Sequence, residues 1–262
     1  MELFQSIFGT HYPFIGMVHL LPTVGYDDHP GMYDFIAHAV AEAKALEAGG
    51  VHGVLVENDR DHPHTILVSD DQKKCILEAV KAVRAAVSVP VGVDVLLNDW
   101  KAALDIAKEG GGRYVRIDVF VDRVSCDQGV IEPEADAIIA YRKKIGAEDV
   151  ALFTDIQVKH KTMLDSGKQL PTSAKQAIEA GADALVITGT ETGKETSLDH
   201  VREVKKVFPD MPILIGSGIN ASNAKEQFAV ADGAIVGTAL KNSEGKSDSA
   251  RVQEIISIIE KI

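Results

Sequence analysis

Cysteine is scarce. Cys75 and Cys126 are the only two in 262 residues, and their separation matches no metal-ligand spacing. A structural disulfide would be unexpected in a reducing compartment. Basic charge is in the minority, with 27 Lys and Arg against 39 Asp and Glu and a formal net charge of -12. That balance opposes a nucleic-acid backbone and an anionic membrane surface, so an anionic small substrate would need positive charge gathered inside a site. No basic n-region precedes the first apolar run, so a signal peptide is not expected. The first apolar run, Phe14 to Leu21, is interrupted by His19 and followed by Pro22, too short for a signal peptide or a membrane span. The expected protein is cytoplasmic and not inserted in a membrane. Low-complexity linkers are also missing. Aromatics make up 5 % of the chain against 45 % hydrophobic residues overall, which suits one large α/β domain over residues 1–262.

What the chain has is alternation. Short β-branched runs at 14–19, 53–57, 91–96, 114–119, 151–158 and 184–188, and two more that stop in glycine at Gly216 and Gly237, read as strands. Amphipathic helices fall between them. One starts near Tyr33, with Ile36, Ala39, Val40, Ala43 and Leu46 on one face, and ends at Gly49-Gly50. Another opens on a capping box, Ser69 to Gln72, and Asn98 is expected to cap the next. Eight strands and eight helices predict a single TIM (β/α)8 barrel, with a doubly wound sheet as the alternative that periodicity leaves open. In strand four, Arg116 and Asp118 alternate with Val115, Ile117 and Val119, so the polar pair should point into the barrel.

The two last strands each end abruptly in glycine, at Gly216-Ser217-Gly218 and at Gly237-Thr238, the second opening a short helix. Free N–H groups and the positive end of a helix dipole make such turns suited to an anion. In a barrel they form a phosphate-binding cup after strands 7 and 8. The other polar residues at strand ends are His19, Glu57, Asn58, Asp59, Asn98, Asp99, Arg116, Asp118, Asp155, Lys159, His160, Thr188 and Thr192. Glu57 and Asp155 end apolar strands, where lost solvation either demands a cation or raises the pKa toward acid/base use. Lys159 is a candidate Schiff-base nucleophile, phosphate clamp or counter-ion, the clamp and counter-ion being favoured, while Lys-His-Lys at 159–161 also reads as a solvated basic loop. His19 could be a wall or a proton shuttle, Asn98 and Asp99 simple caps, and Arg116 with Asp118 an internal salt bridge. No cofactor is evident. Several carboxylates could hold Mg²⁺, but no ordered spacing demands a metal.

Seven segments together resemble the BtpA family, which includes the SgcQ-like proteins: Ile15-Gly-Met-Val-His-Leu-Leu-Pro22, Glu57-Asn-Asp-Arg-Asp-His-Pro63, Val95-Leu-Leu-Asn-Asp99, Val158-Lys-His160, Thr188-Gly-Thr-Glu-Thr-Gly193, Gly216-Ser-Gly218 and Asp232-Gly-Ala-Ile-Val-Gly-Thr238. The resemblance runs from strand one to the last helix. It implies a (β/α)8 fold, and site residues at His19, Glu57, Asn58, Asp59, Asn98, Asp99, Arg116, Lys159 and His160. It also brings an association with photosystem I biogenesis in photosynthetic organisms and, for SgcQ-like members, with carbohydrate-uptake genes. Asp94, Asp118 and Thr154 depart from the expected family pattern.

The leading expectation is an isomerase or lyase acting on a phosphorylated sugar or nucleoside-like metabolite. In it Glu57 and Asp155 do acid/base work, Lys159 and Arg116 stabilise charge, and the glycine cup holds phosphate. The alternatives are a non-catalytic assembly factor and a nucleoside or nucleotide hydrolase. A homo-oligomer is compatible with either class, using a modest surface patch.

Overall fold

The computed structural model describes residues 2–261. Eight parallel strands close on themselves: β1 (Phe14–His19), β2 (Gly53–Glu57), β3 (Val91–Asp94), β4 (Tyr114–Ile117), β5 (Ala151–Asp155), β6 (Ala184–Ile187), β7 (Ile213–Ile215) and β8 (Gly233–Val236), which returns to the side of β1. This is a TIM barrel. The doubly wound alternative fails because an open sheet would leave two edges, whereas Phe14 pairs with Ala234 and Gly16 with Val236. The runs expected at 91–96, 114–119 and 151–158 extend beyond the ladder because Val95, Val119 and Val158 are buried under loops rather than paired in the sheet.

The outer ring comprises α2 (Met32–Gly49), α3 (Asp70–Ala86), α4 (Trp100–Gly110), α5 (Ala135–Lys144), α6 (Leu170–Ala180), α7 (Leu198–Val207), α8 (Ala224–Phe228) and α9 (Ser249–Ile259). The capping box forms as expected: Ser69 Oγ accepts from Gln72 N at 3.2 Å and Gln72 Oε1 from Ser69 N at 2.9 Å. A correction concerns α4, which Asp99 caps instead of Asn98, its carboxylate accepting from Ala102 N at 3.0 Å.

Two features have no counterpart in the strand–helix alternation. Helix α1 (Glu2–Phe8) closes the N-terminal end of the barrel, with Phe4 5.6 Å from Phe153 and Phe8 5.4 Å from Tyr114, ring centre to ring centre. A small antiparallel sheet of Val124–Cys126, Gly129–Ile131 and Thr162–Met163 is built from the chain that follows β4 and β5. These strands are too short for a periodic signal, and their apolar side chains join Val119 and Val158 in a separate cluster.

Alternate residues of a barrel strand face inward. One inward layer, including Met17, Leu55, Tyr114, Phe153, Val186, Leu214 and Ile235, is apolar. Two residues further along the same strands stand His19, Glu57, Arg116, Asp155, Thr188, Gly216 and Gly237. One step along the axis therefore turns a dry core into a polar floor. Among the described residues, no helix is long and apolar enough to cross a membrane.

Candidate active site at the C-terminal mouth

Above that floor lies a cavity of about 430 Å³. It brings together most of the residues expected from the sequence: His19, Glu57, Asp59, Arg116, Asp118, Lys159, His160 and Thr192 on one side, Gly216, Ser217, Gly218, Gly237 and Thr238 on the other.

Arg116 is the centre of the floor. Its Nε and one terminal nitrogen each donate to Asp155 at 2.8 Å, while Asp94 lies at 3.9 Å and Asp118 at 4.0 Å. Lys161 donates to Asp118 at 2.6 Å, with both side chains buried. Burial alone would raise the Asp118 pKa, but Lys161 and Arg116 more than offset it and hold it below the ordinary value. Asp94 is different: burial, then Asp118 and Glu57, raises its pKa well above the ordinary value, and its Oδ2 finds no hydrogen bond.

Glu57 is 7 % exposed, and although its backbone carbonyl accepts from Leu20 N at 2.8 Å, its carboxylate accepts no hydrogen bond from any described residue. Its nearest basic neighbour is His19, whose Nε2 is 3.5 Å away, while His19 Nδ1 stands 3.7 Å from Asp59. Burial, helped by the Asp59 charge, raises Glu57 to about 7. Burial likewise lowers His19 to about 4, so near neutral pH the imidazole is uncharged. The His19, Glu57 and Asp59 ligand atoms lie within 4.8 Å of one another, close enough to meet at a divalent cation.

The glycine cup is formed by close approach. A Cβ on Gly218, whose φ is +77°, would sit 2.3 Å from the Lys194 carbonyl oxygen, because the loop after β6 crosses it. On Gly237 it would meet the His19 ring at 3.0 Å. Ser217 Oγ accepts from Gly189 N and donates to the Lys194 carbonyl, fastening the two loops together. Among the described residues, the backbone N–H groups of Gly218, Gly237 and Thr238 have no protein acceptor. A one-turn 3₁₀ helix, Thr238–Leu240, follows as the sequence suggests.

Five expected residues stand outside the cavity wall. Asn58 bonds Asp61 and the Leu96 N–H; Asn98 exchanges two hydrogen bonds with the Val119 backbone; Asp99 caps α4 and holds Val68 N. Thr188 Oγ1 accepts from Lys159 N at 3.1 Å. Asp155 lies behind Arg116, which occupies both of its oxygens. Conversely, His62, His64 and Lys161 line the cavity although the strand-end pattern does not mark them. The Asp61-His-Pro-His64 stretch was a usable signal for the histidines. Lys161, read as part of a solvated loop, is buried because it leads into the strand Thr162–Met163.

The fold and this mouth define a TIM barrel with a polar cavity where its strands end. The chain belongs to the BtpA family, whose profile matches residues 10–261. It is 36 % identical over 262 residues to the photosystem I biogenesis protein BtpA of Synechocystis, covering 98 % of this chain and 90 % of that one. Among solved structures it resembles tryptophan synthase of M. tuberculosis, with a TM-score of 0.64, 18 % identity and 98 % and 96 % of the two chains covered. N-(5'-phosphoribosyl)anthranilate isomerase of Pyrococcus furiosus gives 0.59, 14 %, 96 % and 100 %. At such identities the structural likeness establishes the fold alone.

Proposed function

We propose that the protein is an enzyme acting on a phosphorylated sugar or nucleoside-like metabolite by proton transfer, as an isomerase or lyase. One observation carries the reading: Glu57 is a buried carboxyl group with no hydrogen bond, facing a cavity that also holds Lys159 and the unbonded N–H groups of the glycine cup. The cup takes the phosphate, Glu57 exchanges the proton, and Arg116 and Lys159 stabilise negative charge that develops on the substrate. Asp155 acts by positioning Arg116. The name of the Pyrococcus isomerase includes a phosphoribosyl group, which agrees with the ligand class proposed.

A thermal-shift screen with sugar phosphates, nucleosides and inorganic phosphate tests this. A phosphorylated ligand at 100 times its Kd should add about 2.7 kcal/mol of stability. Stabilisation by Mg²⁺ alone would make Glu57 a cation ligand and remove its acid/base role. The second reading, an assembly factor, is favoured by the name of the Synechocystis relative. It predicts stoichiometric recovery of a partner protein in a pull-down, with no metabolite enriched.

The cup has its own test. Gly237→Val would push against His19 and fill the floor of the cup, so phosphate affinity should fall about tenfold or more, a loss on the order of 1.4 kcal/mol. Titration of both proteins with inorganic phosphate is the measurement, and equal affinities would remove the cup from the reading.

A further inference from the structure

Three strongly basic side chains line the cavity: Arg116, Lys159 and Lys161. Two of them are committed. Arg116 is held by Asp155, and Lys161 by Asp118. Nearby, outside the cavity, Lys168 is likewise bound to Asp122 and Lys241 to Glu42. The Lys159 amine alone among the three has no ion pair or hydrogen bond with any described residue.

Its backbone, by contrast, is tightly fixed. Lys159 N donates to Thr188 Oγ1, and the flanking Gln157 and His160 both have left-handed φ values, 50° and 59°. Gln157 is tied by its N–H to Asp122 at 2.8 Å and by its side chain to the Lys168 carbonyl at 3.0 Å. His160 Nε2 accepts from Thr192 N at 3.0 Å. Left-handed backbone at residues other than glycine costs about 1 to 3 kcal/mol each and persists only where the surroundings impose it. Here it sets the stem of one lysine at the edge of the cavity and leaves its amine free.

We infer that Lys159 is a covalent catalyst, forming an imine with the carbonyl group of an open-chain phosphorylated aldehyde or ketone. The inference rests on the phosphorylated-ligand reading above and narrows it to carbonyl substrates. Burial first, then repulsion from Arg116, lowers the Lys159 pKa, which increases the share of the amine able to attack.

The steps balance. The nitrogen lone pair adds to the carbonyl carbon as the π pair moves to oxygen; that oxygen leaves as water, carrying both amine-derived and Glu57-derived hydrogen. Over this sequence Glu57 loses one proton, one water is released and the product is a protonated imine. The ionised Glu57 then takes the proton from the neighbouring carbon, whose electron pair moves toward the imine nitrogen. A proton from solvent, added to the other face of that same carbon, restores the protonated imine. Hydrolysis then releases the epimerised carbonyl compound and the free amine and returns one proton to solvent, with Glu57 protonated as at the start and no net oxidation or reduction.

Pyridoxal phosphate, a phosphorylated aldehyde, is a suitable probe, used beside pyridoxal, which lacks the phosphate. The intact protein is mixed with either aldehyde, reduced with borohydride and mapped by peptide mass spectrometry. Pyridoxal phosphate should label Lys159 roughly tenfold or more faster than any exposed lysine, because the cup holds the aldehyde close. Excess inorganic phosphate should suppress that labelling, and Lys159→Arg should abolish it. Equal labelling of Lys159 by both aldehydes would keep the imine and reject the cup. Labelling confined to surface lysines, with phosphate still binding in the titration above, would overturn the imine and leave the phosphate reading standing.

Discussion

Arg116→Met should lower stability by about 3–5 kcal/mol, the cost expected when one partner of a buried ion pair is removed. Asp155 would lose both of its short hydrogen bonds, and Asp94 and Asp118 would lose the nearby positive charge. Lys161 could answer only for Asp118. Asp155 and Asp94 would then be buried without a compensating cation, so protonating them should relieve part of the loss and the deficit should shrink as pH falls toward 5. Urea denaturation at pH 7 and pH 5 measures both effects. An unchanged midpoint at pH 7 would mean that the cluster does not depend on Arg116.

Glu57→Gln should do the reverse to stability. The folded-state pKa of Glu57 is raised from its ordinary 4.5 to about 7. Between those values the native protein binds a proton that the unfolded chain does not, so the contribution of Glu57 falls as pH rises through the window. Above pH 7 the ionised, buried carboxylate costs roughly 3 kcal/mol relative to acid conditions. Glutamine keeps the shape and removes that dependence. The variant should therefore gain about 2–3 kcal/mol over the wild type at pH 8 and little at pH 4. Turnover of any sugar phosphate found in the thermal screen should drop about 10²–10⁴-fold, since the proton-transfer group is gone. A variant that is destabilised at pH 8 as well as inactive would mark Glu57 as a structural acceptor.

These two residues show how far a strand pattern carries. Glu57 and Asp155 look alike in sequence, each a carboxylate closing an apolar run, and both are expected to act on a substrate. The barrel separates them: Glu57 faces the cavity unbonded, whereas Asp155 is covered by the guanidinium of Arg116 from the adjacent strand β4. Lys159 and Lys161 diverge in a similar way. Only two positions apart, one has a free amine and the other a buried ion pair, because Lys161 lies next to a strand that the periodicity does not reveal. Asp99 takes the cap expected of Asn98, which instead bonds the Val119 backbone, since which of the two caps α4 depends on where the chain turns after β3.

By itself the sequence determined the alternation of eight strands with eight helices and, for a barrel, the gathering of polar groups at one mouth; closure of the sheet and the true ends of β3, β4 and β5 came from the tertiary structure. The alternation and the gathering follow from local periodicity and from hydrophobic burial: an alternating strand has one inward face, and a polar residue ending an apolar run must lie at the barrel's rim. Only the tertiary structure decided which carboxylate is free, which lysine is unpaired and which glycines meet another loop. Such pairings join residues 29 to 43 positions apart, as in Lys159 with Thr188, Arg116 with Asp155 and Lys161 with Asp118. They depend on the closure of the barrel and on loop crossings above it, and a buried charge is governed by whichever partner comes within a few ångströms in three dimensions, not by its neighbours along the chain.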